Sequence, residues 1–134
     1  LSLAASIHDI GKVGIPAEIL SKPTQLSDVE YQLVQSHAQA GFELLKDIDF
    51  PWPVAEMIHQ HHERVDGSGY PQGLKGEQIL MEARILAVAD VIESMASHRP
   101  YRAAKGIEAA LAEIEAGRGR SISRDGSSIC LSCI

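Results

Sequence analysis

One acidic residue, Asp90, lies in the middle of the most apolar stretch of the chain, residues 83–92. The stretch is part of a predicted helix over residues 81–97. Burying an unpaired carboxylate costs so much free energy that Asp90 must be paired, protonated or bound to a metal. The fold therefore has to bring a metal to Asp90 or, as the alternative, a salt-bridge partner such as Arg84 or Arg99.

The rest of the sequence predicts further helices and no strand. Hydrophobic residues make up 45% of the 134 residues but aromatic residues only 4%, so the core must be built from Ala, Leu, Ile and Val, a mixture that favours helices. No stretch alternates with a period of two. We therefore predict an all-α fold. Helices are expected up to His8, over residues 15–20, from a capping box at Ser27 to about Lys46, from Pro53 to the pair His61–His62, and over residues 106–116.

The helix that begins at Ser27 has a predicted buried face with one polar member. Val29, Leu33, His37, Gly41 and Leu44 recur at helical spacing, and we expect them to face the core together.

Length, charge and cysteine positions limit the class of protein. The chain fits one domain, which we place at residues 1–117, followed by an unassigned tail of unlike composition at 118–134. A net charge of −6 argues against binding of long nucleic acid, and no apolar run reaches the roughly 18 residues of a membrane span. Cys130 and Cys133 predict no disulfide framework, so we expect a cytoplasmic setting. The chain starts inside an apolar run without Met, which suggests a fragment of a longer protein.

Four histidines and two aspartates are candidate metal ligands. His8 and Asp9 close an apolar run, Gly11 permits close backbone approach, and Lys12 places a cation one helical turn after His8. The alternative is a capping aspartate beside a surface histidine. His37 lies on its helix's apolar face, where a hydrogen-bonded core histidine is the alternative.

His61 and His62 end a helix, and two consecutive imidazoles are uncommon as packing, although two half-exposed polar residues would be the simpler interpretation. His59 points about 160° away from His61 on an ideal helix and is not counted as a ligand. With Asp90, the ligand set is nitrogen and oxygen without thiolate. Such a set suits Fe, Mn or catalytic Zn and argues against a structural zinc site.

A glycine-dense loop follows the histidine pair directly, over residues 63–76. Its glycines free backbone N–H groups to face a phosphate or a neighbouring chain. Further along, Arg99 and Arg102 flank Pro100–Tyr101, and their guanidinium groups suit contacts with phosphate. A solvated helix end is the alternative for these two arginines.

Five stretches resemble the HD-GYP domain. They are residues 8–16 (HDIGKVGIP), His37, residues 61–71 (HHERVDGSGYP), residues 83–91 (ARILAVADV) and residues 99–102 (RPYR). The resemblance covers roughly residues 1–117. Helices that normally precede the His-Asp pair are missing, and the tail differs from the family's.

The resemblance implies a helical bundle of the HD type, a centre of two or three divalent metals and hydrolysis of cyclic di-GMP to pGpG or GMP in bacterial signalling. Fe or Mn is expected first, with Zn, Ni and Mg as alternatives. The implied metal ligands are His8, Asp9, His37, His61, His62 and Asp90. Asp9 and Lys12 would be catalytic, and Lys12, Arg99 and Arg102 would contact the substrate. The residues implied in a loop at the site or partner surface are Asp66, Gly67, Gly69, Tyr70 and Pro71.

The resemblance also implies partners: diguanylate cyclase (GGDEF) domains, a sensory or receiver domain earlier in the parent chain, and a second copy in a homodimer. Three rival interpretations stay open at this point. The chain could hydrolyse another cyclic dinucleotide or a nucleotide, it could be a module that only binds a nucleotide or a partner, or its histidines and aspartates could only pack.

Overall fold

The computed structural model describes residues 1–96, together with residues 106, 108, 109, 111 and 112. Up to residue 96 the chain is helical, and its one β feature is a single bridge between Asp66 and Lys75. The predicted all-α fold is confirmed. The helices are α1 (Ser2–Ile7), α2 (Ala17–Leu20), α3 (Asp28–Gln35), α4 (His37–Leu45), α5 (Val54–Gln60) and α6 (Met81–Ala96), with 3-10 turns at Ile10–Gly14 and Gly76–Gln78.

Helix α5 lies at the centre of the fold and packs against α1, α4 and α6. Its core positions Met57 and Ile58 are almost completely buried. Burial of such side chains is the main favourable contribution to folding. The remaining members of this core cluster are Ala4, Leu45, Val54, Ala55 and Leu86, so the core is aliphatic, as the composition predicts. The candidate ligands lie at the ends of α1 and α5, at the start of α4 and within α6.

The capping box predicted at Ser27 is present at the start of α3. The Ser27 hydroxyl accepts a hydrogen bond from the Glu30 amide, and the Glu30 carboxylate accepts one from the Ser27 amide. Lys22 also donates to this carboxylate, and these contacts lower the pKa of Glu30 to about 2. The box stabilises the start of α3, whose last turn supplies the Val34 carbonyl that contacts the His37 ring.

The buried face predicted for the helix that begins at Ser27 is partly wrong. The segment is two helices, because the chain turns at Ser36, whose hydroxyl donates to the Leu33 carbonyl at 2.6 Å. His37 and Gly41 are buried, but three expected members of the face are exposed: Val29 at 76%, Leu33 at 39% and Leu44 at 53%. Small residues decide which face of α4 is buried, since they let a neighbouring backbone approach closely. The residues buried with His37 and Gly41 are Val34, Ala38 and Leu45.

That close approach is made by the 3-10 turn that follows Asp9. A Cβ atom placed on Gly11 would lie 2.0 Å from the His37 carbonyl oxygen and 2.6 Å from the Gly41 amide nitrogen. Only a glycine fits there without displacing backbone. The contact brings the turn with Asp9 and Lys12 against the start of α4, and so against His37.

Several predictions concern residues outside the described part of the chain. They are the roles of Arg99 and Arg102, most of the helix over residues 106–116, and the tail at 118–134. No helix within the described residues combines the length and the apolar character needed to cross a bilayer.

Candidate metal centre

Six side chains that the sequence singles out lie together where four helices meet. His8 follows the last residue of α1, and Asp9 comes next. His37 is the first residue of α4, His61 and His62 follow α5, and Asp90 lies within α6. Residues from distant parts of the sequence thus converge on one place. His37, His61 and His62 are each at most 3% exposed, and Asp90 is 8% exposed.

Three of the four imidazoles are oriented in the same way by the backbone. In each, Nδ1 lies 2.6–2.7 Å from the carbonyl oxygen three residues earlier. A carbonyl only accepts hydrogen bonds, so Nδ1 must carry the proton and the neutral ring presents Nε2 as a lone pair. Metal-binding histidines are commonly fixed by such a bond. The pairs are His8 with Ala5, His37 with Val34, and His61 with Ile58.

The Nε2 atoms converge in a way that suits a cation. The Nε2 atoms of His62 and His37 are 3.2 Å apart. His61 Nε2 is buried and has no hydrogen-bond partner among the described residues. The candidate ligand atoms of His37, His61 and His62 all lie within 4.8 Å of one another, a grouping that could hold one metal ion.

Asp9 lies between this group and a second one. Its Oδ1 atom is 3.5 Å from His37 Nε2, whereas its Oδ2 atom is 3.6 Å from His8 Nε2 and 2.6 Å from the Lys12 ammonium. The second group of candidate ligands consists of His8, Asp9 and His61. The two groups share His61, and the two oxygens of Asp9 point to members of both. Each group could hold a metal ion, with His61 bound to only one of them at a time because its Nε2 has a single lone pair.

Asp90 completes the cluster on the side of His8. Its Oδ1 atom is 3.5 Å from His8 Nε2, and its buried Oδ2 atom has no hydrogen-bond partner within the described part of the chain. Arg84 does not pair with it, because that guanidinium donates to the carbonyl oxygens of Ile79 and Gly76. The salt bridge to Arg84 considered from the sequence is therefore excluded, and Arg99 lies outside the described residues.

The sequence pattern of the HD domain family matches residues 1–125. The chain belongs to the HD domain family. The resemblance drawn from the sequence is thus confirmed.

Curated relatives share this domain. Over 122 residues the chain is 47% identical to the cyclic di-GMP phosphodiesterase response regulator RpfG of Xanthomonas campestris pv. campestris, a match that covers 90% of this chain and 32% of that protein. A cyclic di-GMP phosphodiesterase of Thermotoga maritima is 44% identical over 122 residues, covering 90% and 33%. A 3'3'-cGAMP-specific phosphodiesterase 3 of Vibrio cholerae is 42% identical over 115 residues, covering 86% and 25%. The chain spans about a third or less of the length of these relatives.

The electrostatics of the HD domain keep most candidate ligands in the protonation state that metals bind. Burial lowers the pKa of His61 to about 4, and it lowers the pKa of His37 and of His62 as well. Burial acts to raise the pKa of Asp9, but the Lys12 ammonium and nearby imidazoles outweigh it, so this pKa lies below its ordinary value. The imidazoles of these three histidines are therefore neutral, and Asp9 is ionised, near pH 7.

His8 differs in its titration from the other three histidines. The Asp90 carboxylate, 3.5 Å from Nε2, raises the pKa of His8 above the ordinary value of 6.5, although burial acts in the opposite direction. The imidazolium form is favoured because a carboxylate lies beside the ring. In the HD domain without metal, His8 is therefore the histidine of the cluster that takes up a proton most readily.

The glycine-dense loop lies directly over the cluster. The ring of Tyr70 stacks on the ring of His62 with centroids 4.7 Å apart and planes 26° apart. Asp66 accepts hydrogen bonds from the amide and hydroxyl of Ser68, and a cis peptide bond joins Tyr70 to Pro71. Gly67 and Gly73 adopt positive φ values of 84° and 66°, which favour glycine. The loop residues named from the sequence thus reach the cluster through Tyr70.

Two residues hold the connection between α5 and α6: Gln60, which the sequence did not single out, and Arg84, which it named only as a possible partner of Asp90. Gln60 accepts a hydrogen bond from the Leu80 amide at 2.8 Å, and Arg84 binds the two carbonyls described above. The sequence signal that could have identified these two residues is their position, one before and one after the glycine-dense loop. His59, which was not counted as a ligand, instead donates to the Gln39 side-chain oxygen at 2.7 Å and stacks on Phe42.

Proposed function

We propose that this chain is the catalytic part of a metal-dependent phosphodiesterase that hydrolyses cyclic di-GMP. The observation that carries the proposal is the pair of ligand groups that share His61 and have Asp9 between them. The names of the relatives from Xanthomonas and Thermotoga supply the substrate. The expected products are pGpG or GMP.

The residues present fit divalent metals. Imidazole nitrogens and carboxylate oxygens without thiolate suit Fe or Mn, with Zn, Ni and Mg as less favoured occupants. The buried atoms His61 Nε2 and Asp90 Oδ2 have no hydrogen-bond partner among the described residues, and such atoms are costly unless something binds them. We assign the metals to His8, Asp9, His37, His61, His62 and Asp90. The described ligands support two ions, and a third would need further ligands.

When bound, divalent metals activate water at neutral pH and neutralise charge that develops on a phosphate. The chain's own contribution is to hold the ligands in place before the substrate arrives. Lys12 fixes the Asp9 carboxylate through a contact of 2.6 Å and keeps positive charge at the edge of the cluster. Its side chain is 25% exposed, so it can reach a substrate phosphate as well. Arg99 and Arg102 are proposed as additional phosphate contacts on the resemblance alone.

A second candidate substrate is 3'3'-cGAMP, because proteins named as specific for it are among the relatives at comparable identity. Cyclic di-GMP and 3'3'-cGAMP share the phosphodiester bonds on which the cluster would act. The metal ligands alone do not distinguish between them.

We further propose that the chain works in the cytoplasm as the output domain of a longer signalling protein. The name of the Xanthomonas relative, a response regulator, supports a receiver domain as the controlling part. GGDEF domains are proposed as partners through the loop that contains Asp66 and Tyr70, and a second copy of the chain is proposed as a partner in a homodimer.

The proposed function is tested by turnover. The protein is reconstituted with Fe(II) or Mn(II) without oxygen, bound metal is quantified, and cyclic di-GMP or 3'3'-cGAMP is added before products are separated by chromatography. Metal-dependent formation of pGpG or GMP is the expected result. Stoichiometric metal without turnover of either dinucleotide would favour a binding module, and absence of metal binding would contradict the proposed centre.

A further inference from the structure

Glu63 follows the two ligand histidines directly, but both oxygens of its carboxylate bind the loop. The residue is 3% exposed. Its Oε1 atom accepts a hydrogen bond from the Gln72 amide at 2.6 Å, and its Oε2 atom accepts one from the Leu74 amide at 2.8 Å. Buried carboxylates are stable only with such partners, and hydrogen bonds to a charged acceptor are among the strongest in proteins. Glu63 therefore closes the loop onto its own starting point.

The closed loop lies against His62. The Tyr70 amide donates to the His62 carbonyl at 3.2 Å, and the Tyr70 ring stacks on the His62 ring. A Cβ atom on Gly69 would lie 2.5 Å from the backbone of His62, Glu63 and Arg64, so the loop backbone touches this segment directly. The main chain and the ring of His62 are thus both in contact with the loop that Glu63 closes.

We propose that Glu63 is a positioning residue for His62. By binding the amides of residues 72 and 74, it holds Tyr70 over the His62 imidazole. This contact fixes His62 Nε2 at 3.2 Å from His37 Nε2, where a metal would be bound. Glu63 acts through the loop and touches neither metal nor substrate. The inference rests on the metal centre proposed above, and it predicts that an intact ligand set binds metal poorly when the loop is open.

Two substitutions separate position from charge. Glu63→Gln keeps the size of the side chain but replaces one acceptor oxygen by a donor. Glu63→Asp keeps the charge but is one methylene shorter, so it cannot reach both amides. Glu77→Gln is the matched control. Glu77 is an exposed residue of the connection between α5 and α6, and its replacement by Gln removes one negative charge, as Glu63→Gln does.

Two measurements are made on each protein. Hydrogen exchange of the Gln72 and Leu74 amides and the nitrogen chemical shifts of the His62 ring are recorded without metal, and Mn(II) affinity and stoichiometry are measured by titration. Both Glu63 variants should exchange the two amides faster and shift the His62 resonances. They should also bind Mn(II) about 10- to 100-fold more weakly, the usual loss when a group that orients a metal ligand is removed. Glu77→Gln should behave like the unsubstituted protein.

The proposal is overturned if the two amides exchange faster while the His62 resonances and Mn(II) affinity stay unchanged. It is also overturned if Glu63→Asp frees the amides yet binds Mn(II) normally, because charge alone would then account for the effect. If the Glu63 variants do not fold, Tyr70→Leu tests the same contact from the loop and should weaken Mn(II) binding likewise. If the unsubstituted protein binds neither Mn(II) nor Fe(II), the proposed metal centre fails, and the His62 resonances without metal still decide whether Glu63 positions the ring.

Discussion

The two sides of the candidate metal centre are built in different ways. On the helical side, His8, His37 and His61 each form a hydrogen bond with a carbonyl three residues earlier in the chain. On the loop side, His62 contacts Tyr70, and Tyr70 is held by contacts that span up to eleven residues of loop. The imidazoles of the helical side are thus oriented by local structure. The His62 imidazole on the loop side is oriented only when the connection to α6 has folded.

This difference has consequences for assembly of the site. A helix end sets the direction of an imidazole as soon as the helix packs, so the helical side needs little besides the core around α5. The loop side adds an ordering cost, because glycine-dense segments lose much conformational entropy on folding. We therefore expect substitutions on the helical side to remove metal binding or destabilise the fold, and those on the loop side to weaken metal binding in a folded protein.

The largest effect is expected for Asp9→Asn, which removes the carboxylate between the two ligand groups. Turnover of cyclic di-GMP should fall by at least about 100-fold, as for loss of one preorganised electrostatic group in other active sites, and bound metal should decrease. The assay is product formation with metal quantified in parallel. Asp47→Asn, at an exposed position, is the control and should be active. Normal turnover of Asp9→Asn would contradict the assignment of this residue.

The next effect concerns the contact between the 3-10 turn and α4. Gly11→Ala should lower the free energy of unfolding by about 2–3 kcal/mol, because its Cβ would overlap the His37 carbonyl and the backbone must move. Urea denaturation of the metal-free protein measures this change. Gly14→Ala, three residues later in the same turn, meets nothing within 4 Å and should change stability by about 0.5 kcal/mol or less. Equal stabilities of the two variants would mean that the close approach is unimportant.

The same contrast explains what the sequence could predict. Helix α6, the capping box at Ser27 and the loop after His62 have local signals, namely apolar periodicity, a Ser-to-Glu spacing and dense glycine, and all three are present. The six candidate ligands were selected by residue type and by resemblance. Their convergence required a fold that packs α1, α4 and α6 around α5, which no local pattern shows.

The errors arose where packing, not periodicity, decides the result. Leu44 is large and apolar, so the pattern places it inside, yet the backbone of the Gly11 turn packs against the small side of α4 and Leu44 is exposed. Likewise Arg84 was a reasonable partner for Asp90 by charge, but it binds carbonyls of the loop. In the first case the deciding neighbour is distant in sequence, and in the second it is the segment just before α6.

The helical side should also respond to pH in the metal-free protein. The pKa of His61 in the folded state is about 4, below the ordinary 6.5, so stability is full above pH 6.5 and is lost as the pH falls towards 4. Protonation of this one histidine in the unfolded state should lower the free energy of unfolding by about 2 kcal/mol at pH 5 relative to neutral pH. His8, whose pKa is raised, acts in the opposite direction and gains stability as the pH falls.

Urea denaturation at pH 7.5, 6 and 5 measures this dependence, and His61→Leu should reduce its slope. Between pH 7.5 and 8.5 the contribution of His61 should be constant, because the ring is neutral in both the folded and the unfolded state. A stability that rises on acidification would mean that the charged pair of His8 and Asp90 outweighs the buried neutral rings.

The smallest effect is expected for His59→Leu, two residues before His61 in the same helix. Both histidines are buried, at 7% and 0% exposed, but His59 Nε2 is bonded to Gln39 whereas His61 Nε2 has no hydrogen-bond partner in the described structure. His59→Leu should lower the free energy of unfolding by about 1 kcal/mol, because one hydrogen bond and the stacking on Phe42 are lost, and should leave Mn(II) stoichiometry unchanged. His61→Leu should lose metal. If both variants lost metal equally, loss of a buried side chain at this helix end, and not loss of the His61 Nε2 atom, would account for the effect. The assignment of His61 as a metal ligand would then be contradicted.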